Sequence, residues 1–160
     1  MRTLTFLKRS IGAGSPQRLE LEITEGVLLD NSQTTIEMLH RIRSLGVRIA
    51  MDDFGTGYSS LSYLRAFPFD KIKIGRSVVR DILHADEATA IVRAVTSLGR
   101  SLGIATTAEG IETEEQMAFV SAEGCTQVQG YSVGRPMSAA DAARLVMNRS
   151  IKNAAAFRGG

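Results

Sequence analysis

The stretch that most constrains this chain is VRIAMDDFGTGYSSL, residues 47–61, in which a strand pattern ends on two adjacent carboxylates. Apolar and other residues alternate from Val47 to Met51, which is the period of a β-strand. Asp52 and Asp53 follow, and glycines directly after them allow the backbone to turn sharply. Two acids at the end of a strand suit a hard divalent cation, and a solvated loop with two surface acids is the alternative.

Composition places the chain among ordinary globular proteins. It has 160 residues, 44% hydrophobic and 22% charged, which favours one domain. A net charge of +2 gives no support for a nucleic-acid polymer or a membrane surface as partner. The single cysteine, Cys125, excludes an intrachain disulfide, and no run is apolar and long enough for a signal peptide or a membrane span. We therefore expect a soluble, cytoplasmic protein.

Predicted strands and helices alternate along the chain. The strands are expected at residues 19–24, 47–52, 69–74, 104–109 and 126–131. The helices are expected at residues 31–45, 59–67, 86–102, 113–123 and 138–146, with Leu45 and Leu102 on the apolar stripes that face the core. Gly46, Gly103 and Gly124 each end a helix and lead into a strand, which indicates parallel βα units.

The predicted fold class is α/β, an incomplete TIM-like (β/α) barrel of about five parallel βα units. A closed barrel of this kind needs more strands, in a chain of about 250 residues. An open doubly wound sheet is the alternative, although no dinucleotide glycine fingerprint opens the first strand. Strand edges left open by an incomplete barrel tend to pair with another chain, so we expect a homodimer that covers them.

Each predicted strand carries a charged or amide residue near its carboxyl end, on its polar face. In order these residues are Glu22, Asp52, Lys73, Glu109 and Gln129. In a parallel barrel such residues converge at one mouth, where the carboxylates would repel one another unless Mg²⁺ or Mn²⁺ neutralised them. Packing explains each of these residues on its own equally well. It does not explain why the polar residues stand at the same position of the alternating pattern on successive strands.

This set of residues suits phosphodiester hydrolysis. Two divalent ions can hold the attacking and leaving oxygens, Glu109 can accept a proton from water, and Lys73 can offset negative charge on the phosphate. The residues alone leave a second chemistry open, because a lysine with carboxylates and Mg²⁺ also suits proton abstraction next to a carboxylate, as in enolase-type barrels.

Six ordered motifs resemble the EAL-domain phosphodiesterases. They are LELEITE at 19–25, DDFGTGYSSL at 52–61, KI at 73–74, AEGIET at 108–113, QGY at 129–131 and GRP at 134–136. The resemblance implies a TIM-like barrel that uses two divalent ions to open cyclic di-GMP to linear pGpG. It also implies roles for individual residues: Glu22, Asp52, Asp53 and Glu109 as metal ligands, Glu109 as general base, Lys73 as catalytic lysine, Glu25 as the acid that steadies the loop after the aspartates, and Glu112 and Gln129 at the substrate site.

The chain departs from the family pattern at two places. Neither the Glu-Ala-Leu segment nor the strand with the metal-binding asparagine of the family is found, and the family's aspartate after Lys-Ile is Gly75 here. We therefore expect residues 1–16 to be unassigned, 17–148 to form a truncated EAL-like domain, and 149–160 to be a loose tail. Metal binding and turnover are expected to be weak.

Three functions follow from this interpretation. The first is a weak cyclic di-GMP phosphodiesterase. This function is favoured by the intact DDFGTGYSSL motif, Lys73 and Glu109. The second is an inactive EAL-like module that binds the nucleotide or a protein, which Gly75 favours. The third is a fragment of a longer gene product, which the break in the pattern at residues 1–16 favours.

Overall fold

The computed structural model describes residues 16–24, 33–56, 64, 67, 69–145 and 147. They form one sheet of five parallel strands whose spatial order is the order of the sequence. The strands are β1 (Glu20–Thr24), β2 (Arg48–Phe54), β3 (Lys71–Ile74), β4 (Ala105–Glu109) and β5 (Gln127–Gln129). The predicted strands and their parallel arrangement are confirmed.

Helices connect the strands, as expected of βα units. They are α1 (Gln33–Ser44), α2 (Arg76–Asp81), α3 (Asp86–Leu102), α4 (Glu114–Ala122) and α5 (residues 139–145). Helix α4 begins at a capping box, in which the Thr113 hydroxyl accepts from the Gln116 N–H and the Gln116 side chain accepts from the Thr113 N–H. The predicted helix over residues 59–67 lies mostly outside the described residues.

Helix α2 is a finding that the sequence pattern did not predict. It has six residues, too few to show a helical period, and its N-cap is Gly75, which offers no side-chain cap. Its inner side buries Val78 and Val79 beside the sheet. The helix therefore fixes the chain directly after β3, where the polar side chains converge.

The hydrophobic core lies between the helices and one face of the sheet. Ile49, Ile72, Ile74, Val92 and Val120 are completely buried in it. The alternate residues of β1 and β3 carry charged side chains on the opposite face. The fold class is therefore confirmed as an α/β sheet of the incomplete barrel type.

Two residues predicted to face the core do not. Leu45 is 68% exposed and Leu102 is 48% exposed. Leu102 is the last residue of α3 and Leu45 follows the end of α1, so each lies where the chain is already turning towards the next strand. Across the described part of the chain, no helix has the length and apolar character needed to traverse a bilayer.

Asp70 joins the start of β3 to β2 and α1. Its Oδ2 accepts from the Ile49 N–H at 2.9 Å, and its Oδ1 accepts from the Arg43 guanidinium at 3.0 Å. Ile49 is completely buried, so water cannot replace the first of these bonds. The carboxylate thus helps to set the register in which β2 and β3 deliver their polar residues.

We expect Asp70→Ala to lower the free energy of unfolding by roughly 1–3 kcal/mol, because it leaves a buried N–H without an acceptor. Arg43→Ala should cost clearly less, because the arginine side chain is 40% exposed and the bond to Ile49 survives. Urea unfolding followed by circular dichroism measures both changes. Equal losses in the two variants would contradict this assignment.

Candidate active site

A β-bulge in β2 brings two neighbouring carboxylates to the same site. Met51 pairs with Ile72 and Phe54 with Ile74, so β2 has one more residue than β3 between these pairs. Asp53 has a φ of 55°, in the left-handed region that residues with a Cβ rarely occupy. Regular alternation would direct Asp52 and Asp53 to opposite faces of the sheet. The bulge instead places their oxygens within 4.8 Å of each other and of a Glu109 oxygen.

Lys73 lies at the centre of the charged cluster. Its Nζ is 2.8 Å from Glu22 Oε1, 3.0 Å from Asp52 Oδ1 and 2.5 Å from Glu109 Oε1. These three acids come from β1, β2 and β4, and the lysine side chain is only 6% exposed. One buried ammonium group therefore joins acids from three strands at their carboxyl ends.

The cluster shifts the pKa values of two of its members. Burial lowers the pKa of Lys73, but the carboxylates of Glu109, Glu22 and Asp52 outweigh it and hold that pKa above its ordinary value. Burial raises the pKa of Glu109, and the negative charges of Asp52 and Glu22 add to the rise, whereas Lys73 opposes it. The lysine is therefore a permanent cation, and Glu109 holds a proton more readily than an exposed glutamate does.

The donor set fits a divalent cation. Asp52 Oδ1 is buried, and its partner among the described residues is the Lys73 ammonium at 3.0 Å. Among the described residues, Glu22, Asp52 and Glu109 share the Lys73 ammonium group, and Asp53 lies beside Asp52 and Glu109. Oxygen ligands with an excess of negative charge are what Mg²⁺ and Mn²⁺ prefer.

A cleft of about 150 Å³ opens beside Glu109. It is lined by Arg76, Gly110, Glu112, Gln129, Gly130 and Tyr131. Arg76 forms a 2.5 Å ion pair with Glu112, and a Cβ at Gly110 would lie 2.3 Å from the Arg76 Cγ. Gly110 therefore leaves the room in which the arginine crosses the end of β4.

The structure brings most of the predicted site residues together. Glu22, Asp52, Lys73 and Glu109 form the cluster, with Asp53 joining Asp52 and Glu109, while Glu112 and Gln129 line the neighbouring cleft. Glu25 lies outside the described residues. Arg76 was missed, although it follows β3 closely, and the rule that strand carboxyl ends meet at one edge could have found it.

Comparison with known proteins identifies relatives over most of the chain. The EAL domain family model matches residues 3–136, a range that begins before residue 17, where the EAL-like domain is expected to begin from the sequence motifs. An uncharacterised signalling protein of Caulobacter vibrioides is 62% identical over 122 residues, which are 76% of this chain and 15% of that protein. The chain therefore spans a small part of the length of this relative.

Solved structures show the same fold. The PaMucR phosphodiesterase in complex with c-di-GMP is 40% identical with a TM-score of 0.76, over 81% of this chain and 52% of that one. BlrP1 of Klebsiella pneumoniae, as a manganese and cyclic di-GMP complex, is 36% identical with a TM-score of 0.70, over 74% of this chain and 30% of that one. Both neighbours were solved with the same nucleotide.

We expect Lys73→Met to raise the pKa of Glu109 further in metal-free protein. The lysine is the group that lowers this pKa, so its removal leaves burial and the neighbouring carboxylates unopposed. Carbon-13 NMR of the glutamate carboxyl groups in the presence of a chelator measures the titration midpoint. An unchanged or lower midpoint would show that the ammonium does not contact Glu109.

Proposed function

The chain belongs to the EAL-domain family, and from this we propose that its site binds divalent metal ions and opens cyclic di-GMP to linear pGpG with weak activity. The observation that carries the proposal is the convergence of acids from three strands on the buried Lys73. Packing alone does not account for it, because burying one cation requires partners but not an excess of carboxylates.

Asp52, Asp53 and Glu109 are the residues we propose to hold a metal ion, with Glu22 as a further ligand of the site. One carboxylate oxygen from each of the three residues lies within 4.8 Å of the others, which supports this assignment. When bound, Mg²⁺ or Mn²⁺ would supply Lewis-acid activation of water and charge neutralisation at the phosphate.

The chain's own residues then have separate tasks. Glu109 lies at the end of β4 beside the other acids and accepts the proton of the attacking water. Lys73 remains protonated and presents a fixed positive charge towards the phosphate oxygens. Because it already lies within 3.0 Å of three acids, it also holds them in place before substrate arrives.

The cleft beside Glu109 is the proposed nucleotide site. Gln129 offers an amide that can donate and accept hydrogen bonds, and Glu112 can accept them from a base. Arg76, which Glu112 already holds, can contact a phosphate in a bidentate manner.

Weak turnover follows from what the site contains. Gly75 contributes no carboxylate where the family pattern has aspartate, and Lys73 competes with a metal ion for Glu22, Asp52 and Glu109. A catalytic group displaced by about an ångström can cost on the order of a hundredfold in rate.

A binding module without turnover is the second candidate. The contacts of Lys73 with three carboxylates favour it, because the ammonium takes part of the coordination capacity of each. It differs from the first candidate in one measurable outcome, namely cyclic di-GMP binding by calorimetry with no pGpG formed in the presence of Mn²⁺.

Asp52→Ala should abolish pGpG formation, because Asp52 contacts Lys73 and contributes to the metal-binding cluster. The assay incubates the protein with cyclic di-GMP and Mn²⁺ and separates the products by chromatography. Asp81→Ala is the matched control, since Asp81 is exposed and pairs with the adjacent Arg80. Product formed by wild type and Asp52→Ala at equal rates would contradict the proposal.

We further propose that the chain forms a homodimer through its sheet edges. Within the described residues, β1 pairs on one side with β2, and β5 on one side with β4. Sedimentation velocity over a dilution series should therefore show a dimer that dissociates only at low concentration. A folded monomer at micromolar concentration would contradict this proposal without bearing on the metal site.

A further inference from the structure

Arg76 and Glu112 reach the cleft from two separate elements. Arg76 is the first residue of α2, and Glu112 lies in the segment between β4 and α4. Their side chains form an ion pair but are 67% and 49% exposed. An ion pair of this exposure contributes little free energy, because water and salt screen it. The relative position of the two elements therefore depends on contacts beneath the pair.

Gln116, the third residue of α4, supplies such a contact, and its side chain is buried. Its Oε1 accepts from the Glu112 N–H at 2.9 Å and from the Thr113 N–H at 3.2 Å. Its Nε2 donates to the Val79 carbonyl of α2 at 3.3 Å. One side-chain amide thus links the segment that carries Glu112 to the helix that carries Arg76.

The link to α2 requires an amide at this position. The amide oxygen faces two N–H groups and the amide nitrogen faces a carbonyl, so the partners determine the orientation of the group. A glutamate at position 116 would keep both acceptor contacts, because glutamate and glutamine serve equally at this place in a capping box. An ionised carboxylate has no proton to donate to Val79. The link to α2 is therefore separable from the capping of α4.

The other side of the segment is fixed independently. The N–H of the completely buried Ile111 donates to the Gln129 carbonyl at 3.1 Å. The segment is thus attached to the end of β5 through Ile111 and to α2 through Gln116, with Glu112 between the two attachments. Loss of the second attachment would let Glu112 move relative to Arg76, while Gln129 keeps its place.

We propose that Gln116 is a positioning residue of the nucleotide cleft, because its buried amide holds Glu112 and Arg76 where both line that cleft. This inference rests on the proposed function, in which the cleft takes the nucleotide. Gln116 does not line the cleft and acts through the two residues that do. The acids proposed to hold the metal ion lie on β2 and β4, so metal affinity should not depend on Gln116.

The test compares Gln116→Met, which removes all three hydrogen bonds, with Gln116→Glu, which loses only the bond to Val79. Initial rates of pGpG formation with Mn²⁺ should give a KM for cyclic di-GMP raised about fivefold in both variants, as expected for the loss of one hydrogen bond. The value of kcat should stay within about twofold, because the reacting groups are untouched. Isothermal titration calorimetry without substrate should show unchanged Mn²⁺ affinity. If the wild type binds cyclic di-GMP but forms no pGpG, Kd replaces KM in this comparison.

Gln17→Met is the matched control, because Gln17 is an exposed glutamine that precedes β1, at the opposite end of the strands. A double-variant cycle then tests the route of the effect. In an Arg76→Ala background, Gln116→Met should raise KM by clearly less than fivefold, since the arginine that Gln116 positions is gone. Equal effects in the two backgrounds overturn the inference.

The remaining outcomes separate this inference from the proposed function. A wild-type KM in Gln116→Glu would mean that Gln116 only caps α4, and a wild-type KM in Gln116→Met would mean that the added charge acts in Gln116→Glu. Either result, or a parallel fall in Mn²⁺ affinity, overturns the inference and leaves the proposed function standing. A wild type that neither binds nor hydrolyses cyclic di-GMP overturns both.

Should both variants fail to fold by circular dichroism, hydrogen exchange of the Glu112 N–H in the wild type carries the test. The bond to Gln116 should slow this exchange at least about tenfold relative to an unprotected amide. Exchange at the unprotected rate overturns the inference.

Discussion

The structure depends on one buried charge. The Lys73 ammonium is removed from water and must be compensated by partners within contact distance, which three strands supply. This requirement links β1, β2 and β4 to β3. The same ion pairs therefore fix both the register of the strands and the geometry of the site. Displacing β3 along its axis would leave the ammonium without its partners, and displacing β1, β2 or β4 would remove one of its three acids.

Local backbone geometry then decides which acids share the site. The bulge in β2 adds Asp53 to a face that Asp52 already occupies. Position 75 is glycine where the family pattern has aspartate, so the chain has one carboxylate fewer there.

The residues that the sequence could place are those that follow simple periodicity. Glu22, Lys73 and Glu109 lie at corresponding positions of strands in which inward and outward residues alternate. Parallel strands bring such positions to one edge of the sheet. Asp53 breaks the alternation of the strand. Its place in the site was predicted only because it is adjacent to Asp52 and because of the family resemblance, and the β-bulge that brings it there was not predicted. Helix α2 was missed because six residues are too few to show a period, and Arg76 was missed because it follows the end of β3, outside the alternation of the strand. Leu102 was wrongly predicted to face the core, because an apolar stripe in the sequence does not show where the helix ends and the chain turns away from the sheet.

A second layer of charges lies beneath the first and shows what is unusual about the site. One pleat below Glu22 and Lys73, Glu20 contacts Lys71 at 2.8 Å and Arg48 at 3.7 Å. That layer has one carboxylate for two cations, whereas the upper layer has four carboxyl groups for one ammonium group. In the lower layer Lys71 and Arg48 balance the charge of Glu20, although the buried Glu20 Oε2 accepts no hydrogen bond from a described residue. The excess of negative charge is confined to the upper layer, at the carboxyl ends of the strands, and this asymmetry is the physical reason why a divalent cation would bind there and not deeper in the sheet.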